Sequence, residues 1–124
     1  EFSAAIGLEQ LKKINKMNKI REKNAKIYFK KINLKNKMPI ISGSTYHFYW
    51  IMVTNRDEFR KKMTQKGIQT GIHYKPIHTM TLYKQKMKLP ITDKIGTQIV
   101  SLPTHPNLTD DNIDFIIKCV NQFT

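Results

Sequence analysis

TYHFYWIMVTNRDEFRKKMTQKG, Thr45 to Gly67, changes character at Asn55. From Thr45 to Val53 the residues are aromatic or β-branched almost without a break, the composition of a strand buried on both faces or packed by aromatic contacts at one end. Asn55 then opens a helix as its expected N-cap. Asp57 and Glu58 fall in the first turn, where negative charge meets the positive end of the helix dipole, and Phe59 and Met63 share one face. Gly67 is placed to cap the far end. A strand running straight into an amphipathic helix makes this an α/β (α+β) chain.

Reading outward supports that class. Upstream, Ser3 to Ile32 reads as one long helix: Leu8, Leu11, Ile14 and Met17 recur every three residues, and Ile20, Ala25, Tyr28 and Ile32 continue an apolar stripe that drifts around the axis. That stripe needs a partner surface. Asn33, Asn36 and Pro39 end the helix. Downstream, IQTGIHY (68–74) reads as a short strand that Pro76 stops, and TMTLYKQKM (79–87) as a helical turn. A short helix is expected from Thr92, then a strand from Ile99 to Leu102, and then a turn that holds His105 between Pro103 and Pro106. The last helix has Thr109 as N-cap, Asp110 and Asp111 in its first turn, and Ile113, Ile116, Ile117 and Val120 as its buried stripe. The expected order is α-β-α-β-(α)-α-β-α: about three strands packed with helices in a single domain spanning residues 1–124. A chain of this length can bury roughly two-thirds of its unfolded surface.

Charge is the strongest compositional signal. The net charge is +13, from 22 basic and 9 acidic residues, and 19 of the basic residues are lysine against 3 arginines. Nucleic-acid readers favour arginine for its bidentate contacts to bases and phosphates. The accompanying wealth of isoleucine and asparagine is what an AT-rich genome encodes, so no specific nucleic-acid partner is expected. The single cysteine, Cys119, permits no intramolecular disulfide and lies in an apolar helical context as a core thiol. With no apolar run of membrane-spanning length and no signal-peptide pattern at the first residues, the expected location is cytoplasmic.

Chemistry concentrates in GIQTGIHYKPIHTM, Gly67 to Met80. His73 and His78 are five apart with Pro76 between them. A helix aligns metal ligands at three or four, and a strand sends residues five apart to opposite faces, so no metal site is expected. No GxSxG, no Cys-His motif and no phosphate-cradling glycine loop occurs; the five glycines are scattered. A tyrosine and a histidine beside a proline, on a loop leaving a strand, suit the wall of a pocket, although a lone histidine is more often structural. No complete catalytic centre is legible.

Four stretches in order then carry a resemblance. EFSAAIGLEQLKKI, YHFYWIMV followed by NRDEF, GIQTGIHYKPIH with Tyr83 a few residues on, and LPITDKIGTQIVSLPTHPNLTDDNIDFI together resemble the C-terminal domain of the DegT/DnrJ/EryC1/StrS aminotransferases, the family of sugar aminotransferases that use pyridoxal 5'-phosphate (PLP). The third stretch matches that family's GI-x-T-x-x-HY-x-P-x-H segment. The resemblance implies the small domain of a fold type I aminotransferase, with a mainly antiparallel sheet, and a start at Glu1 and Phe2 that falls within a larger protein. The domain carrying the Schiff-base lysine and the PLP ligands is expected to lie outside this chain, so no catalytic residue, no cofactor ligand and no bound PLP is expected here. The implied parent moves an amino group, typically from glutamate as donor, to a nucleotide-linked keto-sugar. It also implies His78 as a substrate-binding residue at the mouth of the site, with Tyr74 beside it; His73 is left to strand packing. The lone domain, with its first helix uncovered, is expected to form a homodimer or to rearrange that helix. A stand-alone binding or regulatory module, and a basic nucleic-acid binder, remain as alternatives.

Overall fold

In a computed structural model, which describes residues 1–83 and 87–124, the chain opens with the helix α1 (Phe2–Lys31). Next come the strand β1 (Tyr49–Met52) and the helix α2 (Arg56–Gln65). Two short 3-10 turns, Ile77–Thr79 and Thr81–Tyr83, lead to α3 (Pro90–Gln98), β2 (Ile99–Leu102) and α4 (Asp110–Phe123). The helical turn expected over 79–87 is met by the second 3-10 turn as far as Tyr83; its remaining part, at 84–86, lies outside the described residues.

The sheet is smaller than expected. β1 and β2 pair antiparallel, with Tyr49 opposite Leu102 and Ile51 opposite Val100. The third strand is reduced to one bridge, in which Gly71 exchanges both backbone hydrogen bonds with Ser101 at 2.9 Å. Two features accompany its shortness. Arg60 reaches Thr70 through both its hydroxyl and its carbonyl at 3.3 Å, and Pro76, without an N–H, cannot extend a ladder. On the other edge Lys37 bridges Ile51. The expected strand from Thr45 also begins late. Tyr46 adopts a left-handed backbone (φ 46°), and its ring folds back so that its hydroxyl donates to Ile41 O and accepts from Ile41 N.

One face of the sheet makes the core. Tyr49, Ile51, Val100 and Leu102 pack under α1, α2 and α4 with Tyr28, Met63, Ile113 and Val120, all buried. Each large aliphatic side chain buried here contributes roughly 1.5–3 kcal/mol. Tyr28 occupies the centre: its ring lies 5.3 Å from that of Tyr49, and its hydroxyl donates to Pro103 O at 2.8 Å. α1 divides in two. Its second half buries Asn24, Ala25 and Tyr28, whereas Phe2, Ile6, Leu8 and Leu11 stand exposed.

The helix ends follow their sequence signals closely. Thr109 and Asn112 form a capping box, each side chain accepting from the other's backbone N–H. Gly67, at φ 74°, lets Ile68 N–H return to Met63 O at 3.0 Å, a Schellman-type stop. Asn55 holds the N-cap position, but its side chain donates to the Glu58 carboxylate instead of capping backbone N–H groups. Cys119 is buried in the core.

Candidate functional site

The segment from Gly71 to Tyr83 leaves the sheet edge and crosses to α3, and each end is fastened. At the sheet end His73 Nδ1 lies 2.8 Å from Ser101 Oγ, and the imidazole stacks on the Phe48 ring at 5.2 Å and 8°. His73 was expected to pack within a strand; it lies beyond the single bridge at Gly71 and is fixed by a hydroxyl and an aromatic face instead. A β-carbon at Gly71 would stand 2.8 Å from the His73 ring, so the ring closes over bare backbone. At the helix end Pro76 seats on Gly96, and Arg56 Nη1 donates to Gly96 O. The 3-10 turn then forms, with Thr79 N–H and hydroxyl both donating to Pro76 O.

These anchors direct His78 onto α3. Its Nε2 lies 2.7 Å from Asp93 Oδ1, and its side chain is only 12 % exposed. Beside the pair is a hollow of about 390 Å³ lined by Ile77, His78, Tyr83, Leu89 and Thr92. Its wall is largely apolar, with His78 the one titratable imidazole among its lining residues. Tyr74 goes elsewhere. It is 71 % exposed, its ring meets the His73 edge at 5.0 Å, and it is absent from the wall of that hollow. The two expected site residues therefore share a loop without sharing a cavity.

A wider cavity of about 770 Å³ is lined by His73 with Arg21, His47, Lys66, His105 and Phe115 among others. Two basic side chains and three imidazoles join a mostly apolar wall that holds no carboxylate. Among the described residues no group of three or more His, Cys, Asp or Glu side chains is placed to hold a metal ion. Neither cavity joins a lysine amine to a carboxylate. A PLP site needs the amine for its Schiff base and an acid for its pyridine nitrogen.

Asp93 had no signal in the sequence reading. It lies 15 residues from His78, within the short helix expected from Thr92. A carboxylate in the first turn of a helix that follows a histidine-bearing loop was the available clue. Arg56 and Gly96 were likewise invisible, because the contacts that give them a role are non-local.

The model of the DegT/DnrJ/EryC1/StrS aminotransferase family matches residues 1–121. The GDP-perosamine synthase of Escherichia coli is 32 % identical over 97 % of this chain and 35 % of its own length. The dTDP-4-dehydro-2,3,6-trideoxy-D-glucose 4-aminotransferase of Saccharopolyspora spinosa is 28 % identical over 91 % of this chain and 31 % of its own length. The crystal structure of Helicobacter pylori PseC, an aminotransferase involved in the biosynthesis of pseudoaminic acid, superposes with a TM-score of 0.86 at 27 % identity, covering 96 % of this chain and 36 % of PseC. The chain thus spans about a third of the length of the relatives it matches.

Proposed function

The chain belongs to the DegT/DnrJ/EryC1/StrS aminotransferase family, and from that premise we propose that it is the small, C-terminal domain of a larger PLP-dependent sugar aminotransferase. The carrying observation is the family match across residues 1–121 in a chain that spans about a third of its relatives. The parent transfers an amino group from glutamate to a keto-sugar linked to a nucleotide. GDP- and dTDP-sugar names among the relatives support that substrate class. Bound by the rest of the parent, PLP supplies the electron sink. On this reading the Schiff-base lysine belongs to the rest of the parent, and transfer requires both parts.

Its own contribution is substrate recognition. His78, held over the hollow between the 3-10 turns and α3, hydrogen-bonds a polar group of the sugar, and exposed Tyr74 reaches the substrate from the same loop. The exposed apolar side of α1 packs on the larger domain and on a second subunit, which makes the parent a homodimer. No described helix is long and apolar enough to cross a membrane, and a cytoplasmic site of action fits a chain with a single buried cysteine. The test is kinetic. In the complete gene product His78→Ala is expected to lower kcat/KM for the nucleotide-linked keto-sugar by about tenfold or more, a lost substrate hydrogen bond in a buried setting. Unchanged kinetics remove His78 from the site.

A further inference from the structure

Asp93 has no part in the reading above, yet it is the one group that determines what His78 can present to a ligand. A carboxylate offers only acceptors. At 2.7 Å from Asp93 Oδ1, His78 Nε2 must therefore carry the hydrogen. In the neutral ring this leaves Nδ1 with a lone pair and no proton, and among the described residues none hydrogen-bonds it. The ring is 12 % exposed, so it has little freedom to turn over and reverse the two nitrogens. Asp93 sits in the first turn of α3, and its side chain is 46 % exposed.

We propose that Asp93 is the positioning residue of this site: it holds His78 in the Nε2–H form, so that Nδ1 meets the substrate as an acceptor and reads a sugar hydroxyl. The inference rests on the reading that His78 meets substrate. It also selects between ligand groups. A hydroxyl can donate to Nδ1, whereas a phosphate oxygen has no hydrogen to give and would approach a carboxylate of its own sign. Tyr83 and Thr92 line the same hollow, whose surface is otherwise largely apolar.

Two measurements test the proposal separately from the site reading. The first is the tautomer of His78 in this chain, from long-range proton–nitrogen correlation spectra recorded about two pH units above the ordinary imidazole range of roughly 6.5. A protonated Nε2 with an unprotonated Nδ1 is expected, lost to a mixture in Asp93→Asn and restored in Asp93→Glu. A wild-type ring protonated on Nδ1, or an even mixture, overturns the pairing. The second is turnover by the complete gene product. Asp93→Asn is expected to lower kcat/KM about tenfold, the scale of an orienting partner's loss. In the His78→Ala background it should have no further effect. Full activity in Asp93→Asn with loss in His78→Ala sinks the positioning role and leaves the site reading standing. Full activity in His78→Ala overturns both.

Discussion

Pro76 lies so close to Gly96 that a β-carbon there would clash with Pro76 Cγ and stand 2.8 Å from its Cδ. The proline ring cannot rotate out of the way, and Pro76 O is held by the N–H and hydroxyl of Thr79. The helix α3 thus accepts the loop that carries His78 only because residue 96 has no side chain.

Gly96→Ala tests this contact. In a free helix interior the change would stabilise by about 1 kcal/mol. Here overpacking reverses the sign, with an expected net loss of about 1–3 kcal/mol by denaturant titration. The loop should shift away from α3, and the His78–Asp93 hydrogen bond should lengthen or break. A more stable variant with unchanged His78 resonances would show that the loop yields without cost.

The two central phenols give a pH signature. Burial pushes both Tyr28 and Tyr49 well above the ordinary tyrosine range. Above about pH 10 the unfolded chain loses these protons while the folded one keeps them, so the unfolded state binds fewer and stability falls with rising pH. Each phenol contributes a decline of about 1.4 kcal/mol per pH unit between its unfolded and folded titrations. Lysine deprotonation acts in the same interval, so the comparison must be with Tyr28→Phe. That variant should be less stable at pH 7, by about 1–3 kcal/mol for the bond lost to Pro103 O. The deficit should shrink as the pH rises past about 10. A constant deficit across the alkaline range would mean that the buried phenol titrates normally.

Much of the fold was written locally, and what was missed was non-local. Thr109 as N-cap, Gly67 as C-terminal cap, and the apolar stripe of α4 are signals within a few positions of the helix they serve, and each appears in place. The third strand was expected from the alternation of Ile68, Thr70 and Ile72, but pattern alone does not reveal that Arg60 ties down Thr70 or that Pro76 must seat on α3. Tyr46 illustrates the same limit, since its strand-forming character yields to a backbone reversal that sends its hydroxyl to Ile41. The motif singled out the loop and His78 as candidates. It could not supply Asp93, because that partner is made by folding and not by spacing.

The capping box of α4 offers a simple stability check. Thr109→Ala removes the acceptor for Asn112 N–H at an exposed helix start. A loss of about 1 kcal/mol is expected, with the midpoint of denaturation moved and its slope unchanged. No loss would show that water replaces the cap at no cost.

The uncovered half of α1 predicts association. Leu8 and Leu11 are each 62 % exposed and belong to the same apolar stripe. The isolated chain should sediment as a dimer at high concentration, and Leu8→Lys with Leu11→Lys should return it to a monomer without lowering its melting temperature. A wild-type chain that stays monomeric throughout would remove this face as a self-association surface.

The most direct measurement is amino transfer by the complete gene product, assayed with glutamate, PLP and GDP- or dTDP-linked 4-keto-sugars, wild type beside His78→Ala. Formation of an amino-sugar nucleotide by a protein showing the visible absorbance of bound PLP, with kcat/KM reduced about tenfold or more in His78→Ala, is the expected result. A colourless protein that leaves every keto-sugar unchanged would contradict the assignment of this chain to a working sugar aminotransferase.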